Sequence, residues 1–166
     1  MLVLGIDPGT AITGYGLVTE APDGSLKGID FGVILTPANT PMPDRLLILF
    51  QRLNEIILLH QPDIGAVEKL FFQRNVTTAI NVGEARGITL LSFALAKKPV
   101  AEYTPLEVKL SICGYGRAEK RQVQRMVQAL LGLPDLPQPD DVADALAIAI
   151  CHLSRSSFTK LIEASH

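Results

Sequence analysis

Leu2-Val3-Leu4-Gly5-Ile6-Asp7-Pro8-Gly9-Thr10 opens the chain with an unbroken apolar run that ends at an acid and a turn. Such a run, with no polar alternation, suits a strand covered on both faces. Asp7-Pro8-Gly9-Thr10 is a turn signal. A second strand is predicted over Ile12–Glu20, carrying Gly14 and Gly16. Ala21-Pro22-Asp23-Gly24-Ser25 is another turn, and a third strand is predicted over Leu26–Leu35. Three strands joined by short turns form an antiparallel meander.

Further along, the period changes. Between Asp44 and His60 the apolar residues fall at helical spacing, with Asp44 as the expected N-cap after Pro43. A short buried strand, Ile64–Val67, precedes a helix over Thr77–Ala96 and a last strand over Val100–Tyr103. Helices are then predicted over Pro105–Ile112, Ala118–Leu131 and Asp140–Ser156. The order β-β-β-α-β-α-β-α-α-α describes an α/β protein: a five-stranded mixed sheet with helices on both faces and parallel crossovers. At 166 residues the expectation is one domain over 1–166, with a tail frayed from about residue 157.

Hydrophobic residues make up 48% and charged residues 19%, which excludes a disordered chain. The net charge of −2 hides a division. Lys69 to Arg125 holds ten Lys or Arg against four Asp or Glu, net +6; five basic and thirteen acidic residues elsewhere give −8. A basic middle between acidic ends requires a functional account. Cys113 and Cys151 lack zinc-site spacing and read as free thiols of a reducing compartment. With no leader pattern and no apolar stretch of membrane-spanning length, the expected location is the cytoplasm.

Four carboxylates stand among apolar neighbours. Asp7 closes the first strand, and Glu68 ends Ile64-Gly65-Ala66-Val67. Asp141 and Asp144 lie one helical turn apart, and Asp144 precedes the all-apolar Ala145–Ile150. Plain structural roles exist for the first three: a turn opener, an exposed strand end, and a first-turn acid or cap beside Asp140. Asp144, on a helix apolar all round, has to find a partner or lose its charge. The four meet if the first and fourth strands are neighbours and the last helix packs on their ends. Hard oxygen ligands without a Cys/His set favour two Mg²⁺ ions, with Mn²⁺ as a substitute, and such a pair acts on phosphodiesters.

These residues sit within Gly5-Ile6-Asp7-Pro8-Gly9, Thr13-Gly14-Tyr15-Gly16, Val67-Glu68 followed by Phe71, Ala85-Arg86-Gly87, Val108-Lys109, Ala118-Glu119-Lys120 and Asp141–Ala149. In that order and spacing they resemble the RuvC family of bacterial Holliday junction resolvases over roughly residues 1–153. The resemblance implies an RNase H-like fold, a homodimer, and Mg²⁺-dependent symmetric nicking of four-way DNA junctions in homologous recombination and DNA repair. It implies that Asp7, Glu68, Asp141 and Asp144 are the catalytic metal-binding acids, and that the RuvA–RuvB branch-migration complex is a partner. It ties Lys109 and Lys120 to DNA binding and activity, and Phe71 to an aromatic near the junction. Lys69 departs from the family pattern, which has a neutral or acidic residue after the glutamate.

Lys69, Arg74, Arg86, Lys109, Arg117, Lys120, Arg121 and Arg125 are candidates for phosphate rails, against the ordinary alternative of solvated faces. Of the adjacent Phe71 and Phe72, Phe71 is expected on the DNA side, where stacking on an unpaired base contributes about 1–3 kcal/mol. Gly114-Tyr115-Gly116-Arg117 reads as a loop that closes over DNA or as a plain linker. Ala79, Gly83 and Gly87 share one helical face, whose close partner is the sheet or a second subunit. Two other functions fit parts of the pattern. The hairpin Gly5–Thr10 is similar to the phosphate-binding hairpin of sugar kinases and actin-like ATPases, which use two such domains around a nucleotide. A non-catalytic junction-binding module requires the four acids to be structural.

Overall fold

The computed structural model describes residues 1–69 and 76–163, with side chains described at 1–69 and 79–156. The meander is present as β1 (Leu2–Asp7), β2 (Ile12–Glu20) and β3 (Leu26–Leu35), followed by α1 (Met42–His60), β4 (Ile64–Glu68), α2 (Val76–Leu95) and β5 (Val100–Tyr103). Three helices end the chain: α3 (Pro105–Cys113), α4 (Lys120–Leu131) and α5 (Asp140–Glu163). The sheet order is β3-β2-β1-β4-β5. β1 and β3 pair antiparallel with β2, whereas β4 pairs parallel with β1 and β5 parallel with β4. This is the mixed sheet expected from the sequence, with β1 and β4 side by side.

Strand periodicity divides each central strand between two layers. Leu4, Ile6, Leu17, Val67 and Phe93 belong to a core under α1 and α2. Val3, Val18, Ala66, Val108, Val127 and Leu146 belong to a second core under α3, α4 and α5. Asp7 therefore shares the α5 face with Val3 and Gly5, and Glu68 shares it with Ala66. Both acids end their strands on the side that α5 covers.

Three helix boundaries differ from the expected ones by two residues or more. The N-cap of α1 is Pro41 rather than Asp44, which lies in the first turn beside Pro43; a proline is tolerated there because the first N–H groups have no intrahelical partner. Helix α4 begins at Lys120, because Glu119 closes a capping box with Gln122. The backbone of α5 continues past Ser156 to Glu163, a stretch with no Gly or Pro to stop it. Among the described residues, no helix is long and apolar enough to cross a membrane. Cys113 and Cys151 are both free.

Candidate active site

Register places the first two acids. Ile6 pairs with Val67 in the parallel β1–β4 ladder, so Asp7 and Glu68 follow at neighbouring positions on adjacent strands. Strands in a sheet lie about 4.8 Å apart, close enough for two carboxylates to share one cation. The turn after Asp7 is fixed locally: the buried Thr13 hydroxyl donates to Gly9 O at 2.6 Å.

Helix α5 brings the other two, and glycines in the strands set how near it comes. A Cβ at Gly5 would stand 2.1 Å from Ala145 O, and one at Gly14 would stand 2.0 Å from Asp141 O. Gly14 pairs with Asp7 across the β1–β2 ladder, so the gap it leaves lies beside the acid. The α5 backbone rests directly on the sheet there. Asp140 and Asp141 occupy its first turn, where the helix dipole favours negative charge.

The electrostatics show that the four acids act on one another. Burial pushes Asp7 from its ordinary 3.8 up to about 7, with added repulsion from Asp144, Glu68 and Asp141 and a smaller opposing pull from Lys120. Burial, and then Asp144, raise Glu68, against Lys120 and Lys109. Asp144 is raised chiefly by burial, although Lys120 holds it down. Lys120 is the cation within this arrangement: its Nζ lies 2.6 Å from Asp140 Oδ2 and 3.0 Å from Asp144 Oδ2. Burial disfavours its charge, but bonds to the two aspartates hold the ammonium protonated, above the usual lysine range.

A groove of about 400 Å³ opens beside the acids. Glu68, Lys109, Lys120 and Asp144 supply its polar lining, and Pro105, Val108, Val123 and Ile148 its apolar lining. Helix α3 holds Lys109 there, and its start is fixed by a capping box between Thr104 and Glu107. Tyr103, paired with Glu68 in the β4–β5 ladder, is tied to α5 by a 2.7 Å bond between its hydroxyl and His152 Nδ1.

Of the predicted site residues, the structure brings together Asp7, Glu68, Asp141, Asp144, Lys109 and Lys120. Arg117 and Arg121 are exposed on the α3–α4 connection and the first turn of α4. Arg86 lies on α2, across the sheet from the acids, paired with Glu102. That placement separates it from any rail on the acid face. Phe71 and Arg74 lie outside the described residues, as does Phe72. Among the described residues no three His, Cys, Asp or Glu side chains are already gathered as a metal-ligand cluster. The donor set nonetheless fits a hard divalent cation, with oxygen donors throughout and an acid whose charge is opposed by its three neighbours. Sequence reading missed Asp140 as a partner of Lys120, because an ion pair between two separate helices leaves no periodic signal. The glycines at 5, 14 and 16 were the legible trace of the close helix: Gly14 and Gly16 alternate on one face of β2, and Gly5 pairs with Gly16 across the β1–β2 ladder.

Fold and site together define an RNase H-like α/β domain with a four-carboxylate centre at the ends of neighbouring parallel strands. The family model described as "Crossover junction endodeoxyribonuclease RuvC" matches residues 3–152. The chain is 59% identical over 152 residues to the protein of that name from Desulfitobacterium hafniense, covering 92% of each chain. It is 52% identical over 165 residues to the one from Syntrophomonas wolfei, covering 99% of this chain and 95% of the relative. The chain belongs to the RuvC family. Among solved structures, T. thermophilus RuvC in complex with Holliday junction substrate superposes with a TM-score of 0.87 at 33% identity, covering 95% of this chain and 96% of that one. The yeast mitochondrial Holliday junction resolvase Ydc2 shares the fold, with a TM-score of 0.69 at 14% identity, over 93% and 80% of the two chains.

Proposed function

We propose that this chain is a divalent-metal-dependent endonuclease that resolves four-way DNA junctions by symmetric phosphodiester hydrolysis, in recombination and repair. The observation that carries this reading is the convergence of Asp7, Glu68, Asp141 and Asp144 from β1, β4 and α5, close enough that repulsion adds to burial in raising Asp7 to about 7. Relatives named as crossover junction endodeoxyribonucleases, and the junction-bound relative, support the substrate class.

The four acids would hold Mg²⁺, two ions per subunit, with Mn²⁺ able to substitute. Bound divalent ions supply a nucleophilic water near neutral pH and offset charge on the attacking and leaving oxygens. The chain itself does the rest. Asp7 and Glu68 are held by ladder register, Asp141 and Asp144 by the first turns of a helix seated on glycine. Lys109 and Lys120 present ammonium groups to phosphate along the groove wall. Arg117 and Arg121 extend positive charge over the exposed start of α4, and Phe71 and Arg74 are assigned to DNA contact on their sequence alone. Hydrolysis leaves 3′-hydroxyl and 5′-phosphate ends.

Symmetric cutting requires two subunits, and α2 has a surface for the second. Ile80, Leu91 and Leu95 are exposed on it, and a Cβ at Gly87 would meet nothing within 4 Å. Gly87 is therefore not packed on its own sheet, which supports a dimer contact along this stripe. A branch-migration complex of the RuvA–RuvB kind is the further partner, in the bacterial cytoplasm.

The test is a synthetic four-way junction, incubated with Mg²⁺ and then with a chelator. Paired symmetric nicks are expected only with metal. Asp7→Asn, Glu68→Gln and Asp144→Asn are each expected to abolish cutting while junction binding survives. Nicking in chelator, or cutting at the wild-type rate by any of these variants, overturns the assignment.

A further inference from the structure

We propose that Asp140 is the positioning residue for Lys120, drawing its ammonium toward the rim of the acid centre and so keeping Asp144 available to a divalent ion. The inference rests on the metal reading above. Lys120 Nζ sits between two carboxylates, 2.6 Å from Asp140 and 3.0 Å from Asp144. These differ in depth: the Asp140 side chain is 48% exposed and that of Asp144 31%. The ammonium thus spans from solvent edge to interior. The backbone at Lys120 is pinned by the Glu119–Gln122 capping box, so its flexible four-carbon stem is the part free to swing.

An ammonium is a compact charge with three donors, and it serves two acceptors at once. A divalent ion at Asp144 changes the balance. The cation and the ammonium repel, and both need the same aspartate. Asp140 is the acceptor that remains to Lys120 without involving any of the four acids. If Asp140 were only a first-turn acid favoured by the helix dipole, its removal would act regardless of Lys120. If it positions Lys120, the two residues are coupled.

The experiment is calorimetric titration of Mn²⁺ into the full-length, metal-free protein without DNA. It compares wild type with Lys120→Met, Asp140→Asn, Asp140→Glu and the Lys120→Met/Asp140→Asn pair. Losing a like charge a few ångströms away, Lys120→Met is expected to bind about fivefold more tightly. Asp140→Asn leaves the ammonium to Asp144 alone and is expected to bind about threefold more weakly. That weakening should vanish in the Lys120→Met background, and Asp140→Glu should restore wild-type affinity. The same weakening in both backgrounds overturns the proposal, because Asp140 would then act as a ligand or as a bare charge. Lack of Mn²⁺ binding by wild type overturns the metal site itself, and this inference with it.

Discussion

Replacing Asp7 by Asn should stabilise the metal-free protein at alkaline pH. Asn keeps the shape of the neutral acid and removes the charge that the site opposes. Moving a carboxyl from 3.8 to about 7 corresponds to an upper limit of about 4 kcal/mol against the ionised form in the folded chain. Side-chain relaxation lowers this, so a gain of about 2 kcal/mol is expected. For a chain of this size that is about 4–8 °C in Tm. The sign follows from proton binding. Between about pH 4 and 7 the folded state binds more protons at Asp7 than the unfolded state, so wild-type stability falls as pH rises through that window. Above pH 7 the penalty is complete, and below about 4 it is absent. The assay is urea unfolding of both proteins in chelator at pH 8 and at pH 4.5. The variant should lead at pH 8, and the gap should shrink toward pH 4.5. Adding Mg²⁺ at pH 8 should favour the wild type, since an ion bound only to the folded state stabilises it by mass action. Equal stability at pH 8, or a gap indifferent to pH, refutes the reading of Asp7 as a charge held against its neighbours.

Two further outcomes follow from packing. Gly14→Ala puts a methyl group where Asp141 O stands, so α5 has to lift; a loss of about 2–4 kcal/mol in chemical unfolding is expected, together with loss of junction cleavage. Gly87→Leu should weaken the dimer on sizing chromatography while leaving the monomer folded, because a side chain at 87 has open space within its own subunit; Gly83→Leu, one turn earlier on the same helix, should weaken the dimer as well. An unchanged dimer in both variants counts against the α2 contact.

Much of the fold was legible before the structure. β2 and β3 match their predicted ranges, since turn residues bracket each one. Helix ends were harder to place. Pro41 and Glu119 act as caps through backbone geometry and a reciprocal side-chain bond, which residue type alone does not announce. The four acids were legible for a different reason: Asp7 and Glu68 close apolar runs and Asp144 precedes one, where a charge requires a partner, and Asp141 stands one helical turn from Asp144. Of the basic candidates, Lys109 and Lys120 reach the groove, whereas Arg86 turns to Glu102 on the opposite layer. Sequence spacing carries no information about which side of a sheet a crossover helix covers.

By itself, then, the amino-acid sequence determined the element types, the antiparallel meander, the presence of four misplaced acids and the basic middle of the chain. These depend on local conformational preference and on short-range periodicity, which neighbouring residues set. Only the tertiary structure decided that β4 lies beside β1, that α5 settles onto Gly5 and Gly14, and that Lys120 bridges Asp140 to Asp144. Those facts depend on contacts between segments far apart in the chain. Burial, which raises Asp7 most, and repulsion among the four acids both exist only once those segments are packed together.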